Sequence, residues 1–441
     1  MKIKCKKASL SGSVTVPGSK SHTIRALLLA TLADGVSEIS NPLPSQDCLS
    51  TVQAIKKIGA EVQIKDGLWT VTGAGNKLHL PAENDKIDVG NSGSLMYFLC
   101  PILSTFGGKC TFTGDESICK RPVTHLIDAL NQLGAQAKSI NNDGNPPFEF
   151  CGPIDVNKTL LTDGKLSQYI SGFMMAASRL NGTLNIKLTN PKETPYLTMT
   201  KLWLDGAGVS CHISDDFKQI SVKGPVQIKS FKKAVPSDWE AVAFPMIAAL
   251  ISDSSIVIEN IDGSGSQGDD KIVEVLQSVG ADINWDKTAG KIYVKGGKKL
   301  SAKNLPNQTL TVNISSFPDA ICALSVIACF IEGKTVITDI EICRKKETDR
   351  IWAMKSELTK LGAKVEEGDD CLIIYGCAES LHGGNVESYK DHRIAMSLAC
   401  MALGLKQGET IEINDAECCS VSFPKFFETM NTLGAGFKNA D

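Results

Sequence analysis

Apolar positions along the chain fall into two alternating kinds of helical segment, and the alternation comes round six times. One kind is apolar on every face: RALLLATLADG, SLMYFLCPILSTFGG, ISGFMMAASRLNG, AVAFPMIAALISD, DAICALSVIACFIEG and RIAMSLACMALGLKQG. A helix with no polar stripe has to be surrounded by protein. The other kind is amphipathic and closes on Gly-Ala, at Gly59-Ala60, Gly134-Ala135, Gly206-Ala207, Gly280-Ala281, Gly362-Ala363 and Gly434-Ala435. Glycine past the last helical turn is the usual left-handed stop. Between the two kinds lie stretches rich in β-branched residues, which read as strands. The period of about 75 residues is too long for a solenoid repeat and suits a βαβαββ unit.

The sixth copy is short. After Gly434-Ala435 only a few residues remain, with no room for the strand pair of the other copies. The segment Ile3–Val16 precedes any helix and reads as strands, so it is expected to complete the last unit. The fold class that follows is α/β, with six βαβαββ repeats, three in each of two domains. One domain takes residues 1–18 and 236–441, the other 19–235, with crossings near Pro17-Gly18 and Val235-Pro236, both turn chemistry. A cleft between two such domains is the expected place for a ligand.

Composition narrows the function classes. A chain of 441 residues with 42% hydrophobic content can supply two cores. Uninterrupted apolar runs of membrane-spanning length are missing, and the start MKIKCKKASL lacks the apolar region of a signal peptide. The net charge of −3 gives no overall field for nucleic acid, so any anion site must be local. The 15 cysteines are scattered, several inside apolar helices (Cys100, Cys322, Cys329, Cys400), where they act as small hydrophobes. No paired CxxC motif suggests zinc, and the neighbours Cys418 and Cys419 read as structural in preference to redox-active. The expectation is a reduced cytoplasmic enzyme, monomeric, without metal, nucleic acid or membrane partner.

Basic residues gather where the apolar helices begin. Pro17-Gly18-Ser19-Lys20-Ser21-His22-Thr23-Ile24-Arg25 enters the first of them; Ser and Lys at a helix start suit an anion, and Arg25 follows Ser21 by one turn. Gly90-Asn91-Ser92-Gly93-Ser94 is the matching turn of the second unit, either a close backbone approach to a ligand or a simple N-cap. Arg121-Pro122 is expected near the start of a further helix, where an arginine opposes the helix dipole and so should serve something else. Ser167-Gln168 opens the third unit. In Lys345-Lys346-Glu347-Thr348-Asp349-Arg350, the spacing of Lys346 and Arg350 places both on one helical face, and Asp391-His392-Arg393 starts the last apolar helix. Each start alone is compatible with a solvated helix end. Together they predict cations aimed at a ligand with several negative charges.

The segments PGSKSHTIRALLLA, GNSGS, KRP before HLIDAL, KKETDRI and YKDHRIAMSLA resemble the enolpyruvyl transferase family, and the resemblance covers essentially the whole chain. It implies that family's fold, a two-domain inside-out α/β barrel. It also implies transfer of the enolpyruvyl group of phosphoenolpyruvate to the 5-hydroxyl of shikimate 3-phosphate, releasing phosphate, with no cofactor. By similarity Lys20, Gly93, Arg121, Gln168, Arg350 and Arg393 would hold phosphoenolpyruvate. Ser21, Arg25, Ser167, Gln168, Thr194, Tyr196, Asp319 and Lys346 would hold shikimate 3-phosphate. Asp319 would take the hydroxyl proton, while Glu347 and Lys20 would move protons at the methylene carbon.

The chain departs from the family pattern in places. Tyr97 stands where an arginine is usual, Leu166 where a hydroxyl residue is usual, and Glu193 near an expected serine, with Thr194 beside it. These changes leave two other readings open: a paralogue acting on a different hydroxylated or phosphorylated cyclic substrate, and a non-catalytic anion-binding protein. The sister activity on UDP-N-acetylglucosamine is disfavoured, because Ser21 replaces its asparagine and Glu116 its reactive cysteine.

Overall fold

The computed structural model describes residues 1–82 and 85–440. The chain divides into two compact units, Gly18–Pro236 and a second made of Met1–Pro17 with Ser237–Asp441. Unit Gly18–Pro236 holds helices α1 (Lys20–Leu32), α2 (Gln46–Lys56), α3 (Gly93–Leu103), α4 (Thr124–Gln132), α5 (Ser167–Ala177) and α6 (Thr194–Gly206). The other holds α7 (Trp239–Leu250), α8 (Ile272–Ser278), α9 (Ile321–Ala328), α10 (Arg350–Lys360), α11 (His392–Leu403) and α12 (Phe426–Thr432).

The two kinds of helix expected from the pattern differ in burial as the pattern requires. Every residue of α11 is buried, and α1 is buried from His22 to Leu32. By contrast α4 buries only Leu126, Ile127, Ala129 and Leu130, a single stripe. Each unit has its own core, around Trp69, Phe98 and Phe112 in one and Trp239, Phe317 and Phe426 in the other. The odd-numbered helices pack on one another inside these cores. At the α3–α5 crossing, a side chain at Gly172 would put its Cβ 2.2 Å from the Tyr97 carbonyl oxygen, so only glycine fits there.

The described residues form six four-stranded sheets, beside one short two-stranded pair. Each has one parallel pair and two antiparallel ones. Thr159–Thr162, for example, runs parallel to Gly182–Leu188 on the far side of α5, and Gln219–Gly224 then pairs antiparallel. Parallel neighbours need a crossover, which α3, α5, α9 and α11 supply within their own repeats.

Two repeats are completed differently. Ser11–Thr15 precedes α1 yet pairs with Ser255–Glu259, which follows α7. Lys232–Ala234 precedes α7 yet pairs with Val36–Ser40, which follows α1. The strand ahead of each crossing stays in its unit while the following helix belongs to the other. This corrects the expectation that Ile3–Val16 completes the last repeat. Only Ile3–Lys6 does so, between Thr410–Asn414 and Lys438–Asn439, while Ser11–Thr15 serves the fourth. The last repeat also has its strand after Ala435, reduced to the two residues Lys438 and Asn439.

Candidate functional site

In unit Gly18–Pro236 the starts of α1, α3 and α5 carry the expected residues. Lys20 opens α1, and its ammonium lies 3.2 Å from Asp47, in the first turn of α2. Arg25 points inward and is 1% exposed. Its Nε donates to Thr200 Oγ1 (2.8 Å), Nη1 to the Ser21 carbonyl (3.0 Å), and Nη2 to the Tyr196 carbonyl (3.2 Å) and Ser171 Oγ (3.4 Å). The guanidinium also lies 4.6 Å over the Phe98 ring. All these partners are neutral. Burial draws its pKa down to about 9, partly offset by Tyr196. A buried cation so placed favours an anion beside it.

Gly93 is the first residue of α3, and Ser92 caps it by accepting from the Leu95 N–H at 3.2 Å. The turn is therefore an N-cap, and it also sets Gly93 against Arg121, since a Cβ there would lie 3.8 Å from Arg121 Nη1. Arg121 lies just before α4, not in its first turn. It follows the short 3-10 turn Ile118–Lys120 in extended backbone, and Pro122 stays outside a helix that opens only at Thr124. This frees its side chain to donate to Asn91 Oδ1 and to Ser117 Oγ (3.1 Å). Among the described residues, its buried Nε has no hydrogen-bond partner. Gln168 donates to Ser94 Oγ at 3.0 Å, tying the start of α5 to that of α3. Tyr97 packs instead on His125, ring centroids 5.2 Å apart.

Ser167 opens α5 without a capping side chain from Leu166. A carboxylate from elsewhere caps it: Glu193 Oε2 accepts from both the Ser167 N–H (3.1 Å) and Oγ–H (2.9 Å). Thr194 and Tyr196 are the first and third residues of α6, with Glu193 as N-cap in left-handed backbone.

The second cluster lies in the unit with both chain ends. Asp319 sits in the 3-10 turn Pro318–Ala320 leading into α9. Arg350 Nη1 reaches it at 2.5 Å, Lys346 Nζ at 3.7 Å and Arg393 Nε at 3.6 Å. Arg350, 1% exposed, also binds Glu347 at 2.7 Å and Asp391 at 2.8 Å. Arg393 pairs with Glu240, at the start of α7. Lys346 and Arg350 do not share a helical face. Asp349 caps α10 through the Ile351 and Trp352 N–H groups, so the helix begins at Arg350 and the two cations meet at Asp319.

The electrostatics of this cluster differ from the expected array of cations awaiting an anion, because Arg350 and Arg393 already hold carboxylates. Burial alone would raise the Asp319 pKa, but Lys346, Arg393 and Arg350 outweigh it and hold the carboxyl well below its usual range. Burial would lower the arginines, yet Asp391, Glu347 and Asp319 push Arg350 up, and Glu240 and Asp319 push Arg393 up. Asp269, buried near Glu240 and Asp319, is pushed well above the carboxylate range.

Several participants were missed from sequence. Glu240 stands at an apolar helix start, where a search for acids as well as cations finds it, and Asp391, read only as part of the start of α11, is the carboxylate that holds Arg350. Asp47, Asp269, Ser171 and Thr200 have no local signal, because each meets its partner only through folding.

Buried helices that open on coupled Arg, Lys and carboxyl side chains mark an α/β protein whose charged groups suit anionic ligands. The model of the EPSP synthase (3-phosphoshikimate 1-carboxyvinyltransferase) family matches residues 5–430. A 3-phosphoshikimate 1-carboxyvinyltransferase of Ruminiclostridium cellulolyticum is 36% identical, covering 98% of this chain and 99% of that one. Another, from Acetivibrio thermocellus, is 35% identical over 100% of both. The solved EPSP synthase of Acinetobacter baumannii superposes with a TM-score of 0.81 at 27% identity over 100% of both chains. The chain belongs to the EPSP synthase family. Its fold is the α/β architecture of those enzymes, and among the described residues no helix is long and apolar enough to cross a membrane.

Proposed function

We propose that this chain is a 3-phosphoshikimate 1-carboxyvinyltransferase, transferring the enolpyruvyl group of phosphoenolpyruvate to the 5-hydroxyl of shikimate 3-phosphate. The observation that carries the reading is Asp319 held by Lys346, Arg350 and Arg393. Family membership supplies the substrates.

In this reading Lys20, Gly93, Arg121, Gln168, Arg350 and Arg393 bind phosphoenolpyruvate. Ser21, Arg25, Ser167, Gln168, Thr194, Tyr196, Asp319 and Lys346 bind the acceptor. Arg25 meets the acceptor's carboxylate or phosphate, the anion its neutral surroundings lack. Phosphoenolpyruvate draws the arginines toward its own charges, which weakens their hold on Asp319 and lifts its carboxylate toward a useful basicity. Asp319 then takes the proton of the attacking hydroxyl as its oxygen bonds to C2. Glu347 or Lys20 delivers a proton to C3, giving a tetrahedral adduct. Glu347 or Lys20 then takes a C3 proton back, re-forming the double bond as the C2–O bond to phosphate breaks, and the arginines stabilise the departing charge. The chemistry consumes no cofactor, and the enzyme works in the cytoplasm as a monomer.

The test is phosphate release from phosphoenolpyruvate plus shikimate 3-phosphate, with Asp319→Ala beside the parent. Turnover lowered by about 10²-fold or more in the variant is expected, the usual worth of a positioned general base. A parent that binds phosphoenolpyruvate yet releases no phosphate overturns the reading.

A further inference from the structure

The Ser167 donors face an unusual partner. Ser167 is fully buried and, in the proposed function, contacts the acceptor, on which this inference rests. Both of its donors, the backbone N–H at the start of α5 and the hydroxyl, go to one oxygen of Glu193. Glu193 is 3% exposed and lies in left-handed backbone, φ 51 and ψ 34. That conformation is disfavoured for a side chain of this size and persists only where its surroundings hold it. One turn along α5, Ser171 contacts Arg25, whose partners are all neutral. Here, then, a carboxylate occupies two donors at a helix start, a turn away from a buried cation whose partners among the described residues are neutral.

Two donors at a helix N-terminus are what a phosphate oxygen seeks. A carboxylate already seated on them competes twice. It consumes the hydrogen bonds, and its charge repels a dianion brought to the same place.

We propose that Glu193 is the acceptor-selectivity residue of this enzyme, an internal anion on Ser167 that a phosphorylated acceptor must displace. An acceptor with a neutral hydroxyl at that end meets no such competition. Glu193 therefore narrows the preference for phosphorylated over unphosphorylated cyclic acceptors. Glutamine is the informative replacement, because its amide oxygen can still accept from Ser167 and cap α5 while the charge is gone.

The experiment compares kcat/KM for shikimate 3-phosphate and for shikimate in the parent, Glu193→Gln and Glu193→Ser. A fall of about tenfold in the KM for shikimate 3-phosphate is expected in both variants, the loss of one like-charge opposition. The KM for shikimate should move much less, so the selectivity ratio rises. A ratio unchanged, or shifted toward shikimate, overturns the proposal and leaves Glu193 as a helix cap. If either variant fails to fold, the other gives the same readout. If neither parent nor variants release phosphate with either acceptor, the proposed function fails separately. Thermal stabilisation by shikimate 3-phosphate then decides on Glu193: a larger shift in Glu193→Gln than in the parent supports it, and equal shifts overturn it.

Discussion

Two aspartates of the second cluster illustrate how little separates a stabilising buried charge from a destabilising one. Asp319 and Asp269 both lose solvent, which raises a carboxyl pKa, but Lys346, Arg393 and Arg350 outweigh burial at Asp319, while at Asp269 Glu240 and Asp319 add to burial and Arg393 offsets them only in part. For Asp319 the folded pKa is depressed. Its contribution is present above the unfolded value of about 3.9 and is lost as pH falls through the folded value. For Asp269 the folded pKa is raised. Its contribution is present below about 3.9 and is lost as pH rises through the folded value, so at neutral and alkaline pH it opposes folding. Asp269→Asn should therefore raise the melting temperature at pH 8 and leave it nearly unchanged at pH 4. Asp319→Asn should lower it at pH 8, since two buried arginines lose charge compensation. Melting curves of the two variants at both pH values check this, and a drop for Asp269→Asn at pH 8 would contradict the account.

At the scale of elements, α10 ties together the segment that presents Asp391 and Arg393. Its first residue, Arg350, binds Asp391, and two turns on, the fully buried Glu357 accepts from Tyr389 Oη at 2.5 Å and the Glu387 N–H at 3.1 Å. Lys360 neutralises Glu357 at 2.8 Å. Tyr389 and Lys390 both have left-handed backbone, φ 54 and 58, directly before Asp391 caps α11. Glu357 is thus a positioning residue that holds a strained turn. Tyr389→Phe is expected to lower unfolding free energy by about 1.5–3 kcal/mol, the range for a hydrogen bond to a charged group. It should also lower kcat more than it raises KM. Denaturant titration with steady-state kinetics reads both, and a variant matching the parent in each would mean that the turn stands without Glu357. The helices themselves were legible in the sequence, because burial on all faces or on one stripe shows within a dozen residues. Helix starts were legible too, which is why Lys20, Ser167 and Arg393 were placed at them. The starts of α4 and α10 were misplaced, at Arg121 and Lys346, because short 3-10 turns with cationic residues resemble first helical turns. What Glu357, Asp269 or Thr200 touches is set by contacts dozens to hundreds of residues apart, where periodicity carries no information.

For the whole molecule, the consequential feature is the exchange of strands at the two crossings. Each crossing leaves its unit with every four-stranded sheet complete: Lys232–Ala234 supplies the strand that the first repeat lacks, and Ser11–Thr15 the one that the fourth lacks. Each unit also has a separate apolar core. Residues 18–236 are continuous in sequence, so nothing in that unit's sheets or core depends on chain outside it. The other unit is interrupted, but its two pieces meet: the Asp238 N–H donates to the Pro17 carbonyl at 2.9 Å. A polypeptide of residues 18–236 should therefore fold cooperatively by itself. Residues 1–17 joined by a short glycine-serine linker to 237–441 should do the same, since closing so short a loop costs little. The informative comparison is residues 18–230, which end before Lys232–Ala234 and expose the edge of Val36–Ser40. Circular dichroism and urea unfolding should give a single cooperative transition for 18–236, and a lower midpoint with a tendency to aggregate for 18–230. If the two behave alike, the exchanged strand is not what completes the first repeat, and the closure of each unit at its crossing would have to rest on the core alone.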